Sequence, residues 1–322
     1  MHDRSEVLNT FDVIIPIAKN DVDALTNSFP YIKAQFPQND IYVIANSCVR
    51  DTIGKFDGIK FIDENSMLEG LNFGFVKEVI GKRYPKAERR TGWYFQQFLK
   101  LGYARICPKE YYLSWDSDTI PINGLNFFDS NGKPYLDILP PVKEDVAYSK
   151  TISNLWANKD ICKKDNVSFI TEHMMFNTSL VNDLLDEIDN NVNIKGKNVF
   201  EKILMSIPTD ELNLSGFSEF ETYAAYVTSK SPGFYINRSW KNLRHGKVYF
   251  GEKPTVKQLM WVSKQFDVIS IEDFDHQWLI CKWLCNEKNL HKRSFNRVYR
   301  LIEPCIKINY KIRMIARKII KR

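Results

Sequence analysis

Apolar positions follow two rhythms along this chain. Residues 11–17 (Phe-Asp-Val-Ile-Ile-Pro-Ile), 40–45, 58–62 and 111–115 are short apolar runs that stop at polar residues, the pattern of buried strands. Between them the apolar spacing lengthens to three or four residues. Residues 21–34 read as a helix, and Asn65 or Ser66 is placed to cap a second one running toward Ile80. Residues 92–104 read as a third, with Phe95, Phe98, Leu99, Leu101 and Tyr103 on one stripe and Gln96, Gln97 and Lys100 on another. Strands alternating with helices predict an α/β fold with a mixed, largely parallel sheet flanked by helices.

Further along, 146–150 and 167–176 are strand candidates. Residues 178–188, 199–206 and 217–228 read as helices, the last capped by Ser218. Beyond about residue 250 the pattern is helical and increasingly basic. The expected organisation is therefore a main domain over residues 1–250 and a helical C-terminal extension over 251–322. There is no internal repeat.

Composition narrows the class. The 322 residues are 44% hydrophobic, 13% aromatic and 26% charged, enough to bury a sizeable core and unlike a disordered chain. No apolar run approaches the roughly 18–20 residues that span a bilayer. The polar opening and the short apolar run at 13–17 do not make a secretory leader, so a cytoplasmic protein is expected. The six cysteines are scattered and read as ordinary thiols, most of them buried. Cys281 and Cys285 sit one helical turn apart with no second pair at zinc spacing.

The net charge of +6 hides a division: from Lys288 onward twelve lysines and arginines face the single Glu303, giving +11 there and −5 elsewhere. From Pro304 the tail is amphipathic. Ile308, Ile312, Ile315 and Ile319 form one stripe beside Lys307, Lys311 and Lys318, with Arg313, Arg317 and Lys321 near them. Such a helix suits an anionic membrane surface, which would place the protein on the inner face of the cytoplasmic membrane. The alternative is a terminal helix packed on the main domain. The acidic remainder, without any nucleic-acid-binding module, points away from nucleic acid.

Candidate chemistry centres on Asp116-Ser117-Asp118. The pair of carboxylates ends an apolar strand, where ligands of open α/β sheets bind. Two ionised carboxylates in such a place need a counter-charge. Mn²⁺ or Mg²⁺ bridging to a diphosphate would supply one. The plain alternative is a surface turn, since Asp and Ser are common there. There is no Walker loop and no Gly-x-Gly-x-x-Gly, so nucleotide recognition falls to side chains and strand ends.

In that order, Ile14-Ile-Pro-Ile17, Val43-Ile44 and Leu113-Ser-Trp-Asp-Ser-Asp118 resemble GT-A glycosyltransferases. Gly92-Trp-Tyr-Phe-Gln-Gln-Phe-Leu-Lys-Leu101 and Phe217-Ser-Glu-Phe-Glu-Thr-Tyr223 resemble, more narrowly, a bacterial glycosyltransferase-like family of surface-polysaccharide synthesis. The resemblance spans residues 10 to 250. It implies a GT-A-like, Rossmann-type domain and a nucleotide-sugar donor, a UDP-sugar foremost. It also implies a glycan or lipid-linked glycan acceptor in lipopolysaccharide, O-antigen or capsule assembly.

Inverting transfer needs a base for the acceptor hydroxyl. Glu219 is the first choice. Glu221 is the second, with a capping box on Ser218 as its structural alternative. His173 would approach the donor sugar, or else be a hydrogen-bonded core residue. Asp116 and Asp118 would hold the metal, and His245 would add a late-chain ligand unless it is an exposed loop histidine. Lys19, Asn46, Asp63, Gln97, Lys100, Ser117 and Arg244 complete the donor-binding candidates, Lys100 and Arg244 facing phosphate. For Gln97 and Lys100 the alternative is a solvated helix face. The rival functions are a sugar-nucleotide nucleotidyltransferase, which the absence of a Gly-rich loop after the first strand disfavours, and a non-catalytic degenerate transferase acting as a membrane scaffold.

Overall fold

A computed structural model describes residues 10–142, 145–157, 161–163 and 166–320, with the backbone alone at residues 145 and 313–320. The chain forms two compact units: unit 1 is Met1–Ser117 with Asn126–Trp240, and unit 2 is Asp118–Leu125 with Lys241–Arg322. In chain order the elements are β1 (Asp12–Pro16), α1 (Val22–Gln35), β2 (Ile41–Ala45), α2 (Arg50–Ile53), β3 (Ile59–Asp63), α3 (Phe73–Arg83), α4 (Thr91–Gly102) and β4 (Tyr111–Trp115). After β5 (Thr119–Pro121) come β6 (Tyr135–Ile138), α5 (Asp145–Leu155), β7 (His173–Asn177), α6 (Thr178–Asp189), α7 (Val199–Ser206), α8 (Glu219–Lys230) and β8 (Ile236–Ser239). The chain ends with β9 (Asn242–Leu243), α9 (Gly246–Phe250), α10 (Val256–Val262), β10 (Val268–Ser270), α11 (Leu279–Leu284) and α12 (Phe295–Ile320).

Unit 1 is built on a five-stranded sheet in the order β3-β2-β1-β4-β7. The first four strands are parallel, and β7 runs antiparallel to β4. This is the mixed, largely parallel α/β architecture expected of the sequence. Strands β1 and β4 are buried along their whole length, which is why they read as continuous apolar runs rather than alternating ones. Helices start where a side chain can receive the first free N–H groups. Asn72, Asn177, Asn198 and Ser218 each accept from a backbone N–H of the following turn. Tyr94, Phe95, Phe98 and Leu101 of α4 pack into one core with Tyr112, Phe176, Phe217 and Tyr223. A separate parallel pair, β6 with β8, sets Asp137 opposite Arg238.

In unit 2 the three-stranded sheet β5-β10-β9 is packed with an aromatic cluster of Tyr249, Phe250, Trp261, Phe266, Phe295 and Tyr299. Phe295, Val298, Ile302 and Ile306 are the buried seam of α12.

Several expectations change. Residues 146–150 lie in helix α5, not in a strand: Ala147, Tyr148, Thr151, Ile152 and Leu155 are buried at helical spacing while Val146 is exposed. Of 167–176 only the end is strand, although Ser168 makes a single bridge to Leu139. The helix expected from Asn65 or Ser66 begins at Phe73, whose N–H donates to the Asn65 side chain. Helix α12 starts before Pro304 and runs through it. Ile308 and Ile312 of the expected stripe are exposed, and the side chains of Ile315 and Ile319 lie outside the described residues. Cys48, Cys162 and Cys305 are exposed and only Cys281 and Cys285 are buried, because scattered small residues need not face a core. Among the described residues no helix is long and apolar enough to cross a membrane.

Candidate functional site

The parallel strands deliver their carboxyl ends to one edge of the unit 1 sheet. Strand order reverses beside β1, with β2 on one side and β4 on the other, so the crevice of such a sheet opens at the ends of β1 and β4. Asp116 follows β4 directly, and its N–H donates to the carbonyl of Glu172, extending the β4–β7 pairing. From helix α4, the Gln96 amide donates to the carbonyl of Pro16 at the end of β1, 2.8 Å away. At the end of β2 the Asn46 side chain accepts from Cys48 N and donates to Glu64, which follows β3. Asp63 accepts from Asn65 N. Burial raises the Glu64 carboxyl above its ordinary value, the Asn46 amide opposing it and the nearby Asp63 adding to it.

The centre of this edge is a lysine between two carboxylates. Lys100 Nζ lies 3.0 Å from Asp116 Oδ1 and 2.9 Å from Glu219 Oε1. It also stands over the Phe220 ring, 4.4 Å from its centroid. The Lys100 and Glu219 side chains are almost wholly buried, whereas that of Asp116 is 36% exposed. The cluster carries one positive and two negative charges, and its negative end is the one that meets solvent. Gln97, also buried, accepts from Glu219 N and so holds the first residue of α8 against α4. Gln97 and Lys100 therefore do not form a solvated face.

Helix α4 is thus the element that brings Gln97, Lys100, Asp116 and Glu219 together. Glu221 goes elsewhere. It is fully buried, accepts from Ser168 Oγ and Phe169 N, and pairs with Lys163 at 2.8 Å. Ser218 does cap α8, but Glu221 gives its side chain to these partners instead of closing a capping box. His173 also lies apart. Its Nε2 donates to Asp137, its ring stacks on Trp115, and Trp240 lies 4.3 Å away between centroids. Arg238 grips the same Asp137 through two hydrogen bonds of 2.6 and 2.7 Å. Burial would raise the Asp137 carboxyl, but the Arg238 fork and His173 outweigh it and hold it below the ordinary value. Trp240 in turn donates to Glu172. Lys19 is exposed in a turn after β1, and the carbonyl of Ser117 accepts from Ser28 Oγ of α1.

In unit 2, Ile271 pairs on one side with the carbonyl of Asp118 and on the other with His245, so both candidates sit at the same end of the β5-β10-β9 sheet. Two strand spacings put their backbones about 10 Å apart. The Asp118 carboxylate accepts from Thr119 Oγ1. His245 Nδ1 lies 2.8 Å from Asp275 Oδ2. A carboxylate only accepts, so Nδ1 is the nitrogen that donates, and Nε2 is the one turned away from Asp275. Arg244 pairs with Glu272 at 3.1 Å.

Asp137, Arg238 and Asp275 carried no signal in a local motif. The one available hint was an acid inside the apolar strand Tyr-Leu-Asp-Ile, since a buried charge implies a partner.

The class these observations define is an α/β protein with polar residues gathered at the strand ends of a largely parallel sheet. No family model and no curated protein matches the chain. Among solved structures it is similar to mouse xyloside xylosyltransferase 1 in its apo form, at 10% identity and a TM-score of 0.40 over 82% of this chain and 98% of that one. It is also similar to the galactosyltransferase LgtC in complex with donor and acceptor sugar analogues, at 10% identity and a TM-score of 0.39 over 88% and 94%. An active-site mutant of LgtC gives 10% identity and a TM-score of 0.41 over 88% and 95%.

Proposed function

We propose that the protein is a metal-dependent glycosyltransferase of GT-A type, moving a sugar from a nucleoside diphosphate donor, a UDP-sugar foremost, to a glycan or lipid-linked glycan hydroxyl. The observation that carries this reading is the Asp116–Lys100–Glu219 cluster at the end of β4, where strand order reverses.

Asp116 and Asp118 are the metal ligands in this reading, with His245 Nε2 as a third. Among the described residues no three His, Cys, Asp or Glu side chains are already gathered closely enough to hold an ion. The ligand set of Mg²⁺ or Mn²⁺ bound with a nucleotide would be completed by phosphate oxygens and water. The hydrogen bond from His245 Nδ1 to Asp275 is the outer contact that orients a metal-binding histidine. When bound, the ion supplies charge stabilisation to the leaving diphosphate.

Asn46, Asp63 and Lys19, at the ends of β2, β3 and β1, line the nucleotide side of the crevice. Ser117 and Gln97 hold the donor end in place, and Arg244 exchanges Glu272 for phosphate. Glu219 is the base that takes the acceptor proton. It alone among Glu219, Glu221 and His173 connects to Asp116, and Lys100 positions it. Direct attack at the anomeric carbon then inverts configuration. Bacterial surface-polysaccharide assembly is the setting the sequence resemblance favours, with α12 lying on an anionic membrane at the cytoplasmic side.

Calorimetric titration of UDP and a panel of nucleotide sugars, with and without Mn²⁺, tests the reading on wild type and Asp118→Ala. Binding should require the metal and should be lost in Asp118→Ala. Absence of nucleotide binding under every metal condition would refute it and favour the scaffold.

A further inference from the structure

Helix α4 carries a second chemical face beyond the cluster. Trp93 precedes Lys100 by seven residues, two turns of helix, so it lies on the same side about 10 Å further along the axis. The Arg90 guanidinium carbon lies 4.1 Å from the centroid of the Trp93 ring. Tyr94 braces that ring edge-on, with centroids 4.8 Å apart. The Trp93 carbonyl accepts from Gln97, tying this platform to the residue that holds Glu219.

Two features here are not explained by folding. The first is Arg90 itself. Its Nε is buried and without a hydrogen-bond partner, and among the described residues no carboxylate pairs with it. Burial lowers its affinity for a proton, Tyr94 and Tyr148 opposing this and Arg89 adding to it. Arg90 is half-buried, and a guanidinium without a carboxylate partner keeps its capacity for an anion. The second is Gly92. It sits in the first turn of a helix without a positive φ, and a Cβ built on it meets nothing within 4 Å. A helical glycine costs about 0.5–1 kcal/mol relative to alanine, and no neighbouring atom demands this one. Open space beside a partly exposed tryptophan and an unneutralised arginine is suited to a sugar carrying negative charge. The indole takes a sugar's C–H face, and the guanidinium fork takes a carboxylate or phosphate at two points.

We propose that Arg90 and Trp93 form a subsite for an anionic sugar, the phosphate- or carboxylate-bearing residue of the acceptor. The subsite stands on its own geometry, and only its assignment to the acceptor rests on the transferase reading.

The test titrates glucose 6-phosphate, glucuronate, glucose and inorganic phosphate into the full-length protein, followed by calorimetry and tryptophan fluorescence. One of the two anionic sugars should bind at least about tenfold more tightly than glucose, and which one does identifies the anion. Arg90→Gln should weaken that binding by about tenfold or more, the loss of a charged two-point contact. Arg90→Lys should restore part of it. Trp93→Leu should bring the anionic sugar down to the affinity of inorganic phosphate. Gly92→Ile should block the sugar sterically while the thermal midpoint stays near that of wild type. Equal affinity in wild type and Arg90→Gln, or no saturable binding of either anionic sugar, overturns the subsite. Titrating UDP and Mn²⁺ into the same variants separates the two readings: a chain that binds anionic sugar but no metal–nucleotide keeps the subsite and loses the transferase.

Discussion

Burial would strip Lys100 of its proton, but Asp116 and Glu219 outweigh it and hold the ammonium charged above its ordinary value of 10.5. A group whose proton affinity rises on folding stabilises fully below its unfolded value and loses that contribution only as pH climbs through the folded one. Across neutral pH the contribution of Lys100 is therefore constant. Lys100→Met leaves two carboxylates without their cation, Glu219 deeply buried, and is expected to cost about 3–5 kcal/mol at pH 7. Urea unfolding at pH 7 measures it, and a deficit below about 1 kcal/mol would contradict this account. The site was only partly legible at this scale. Asp116 and Asp118 stand out because they end an apolar strand, but a helical wheel shows only that Lys100 and Gln97 are polar, not that carboxylates face them. Asp137 and Arg238, 101 residues apart, have no local spacing to betray them.

Two glycines of α4 make opposite predictions at the level of the element. A Cβ at Gly92 meets open space, so Gly92→Ala should raise stability by about 0.5 kcal/mol. A Cβ at Gly102 would come within 2.6 Å of Leu68 Cδ1 and press on Phe200, so Gly102→Ala should lower it by about 1–3 kcal/mol. Thermal unfolding of the pair checks both signs, and a shared sign would mean that helix propensity rather than packing governs. The elements legible from sequence were those whose period and caps agree: β1, β2, β4, α6, α7 and α8 all fall within a few residues of expectation. Helix α5 was misread because a five-residue window opening on Val146 resembles a strand, and its helical period shows only when Ile152 and Leu155 are included. Helix α12 was cut short because Pro304 looks like a start. Packing of Phe295 and Val298 carries the helix through a residue that donates no hydrogen bond.

For the whole molecule, the division of charge is the feature that a local reading most easily loses. The sequence from Lys288 carries +11 against −5 elsewhere, and exposed apolar side chains accompany it in unit 2. In α11, Leu279 is 86% and Trp283 59% exposed, while Cys281 and Leu284 of the same helix are buried. Arg293 lies over the Trp283 ring at 5.3 Å. Leu301, Ile308 and Ile312 of α12 are likewise exposed, beside its buried seam. If α12 lies on an anionic bilayer as proposed, an aromatic ring next to a guanidinium with aliphatic neighbours would extend that contact to α11. Each basic residue near such a surface contributes about 1 kcal/mol, and the contribution fades within a screening length of about 8 Å at physiological salt. The protein should therefore sediment with vesicles containing phosphatidylglycerol, bind neutral phosphatidylcholine vesicles far less, and detach as salt rises. Replacing Leu279 and Trp283 together by aspartate should weaken the association tenfold or more without altering donor binding in solution. Equal partitioning onto neutral and anionic vesicles would remove the electrostatic part of this reading. Indifference to the double substitution would confine membrane contact to α12.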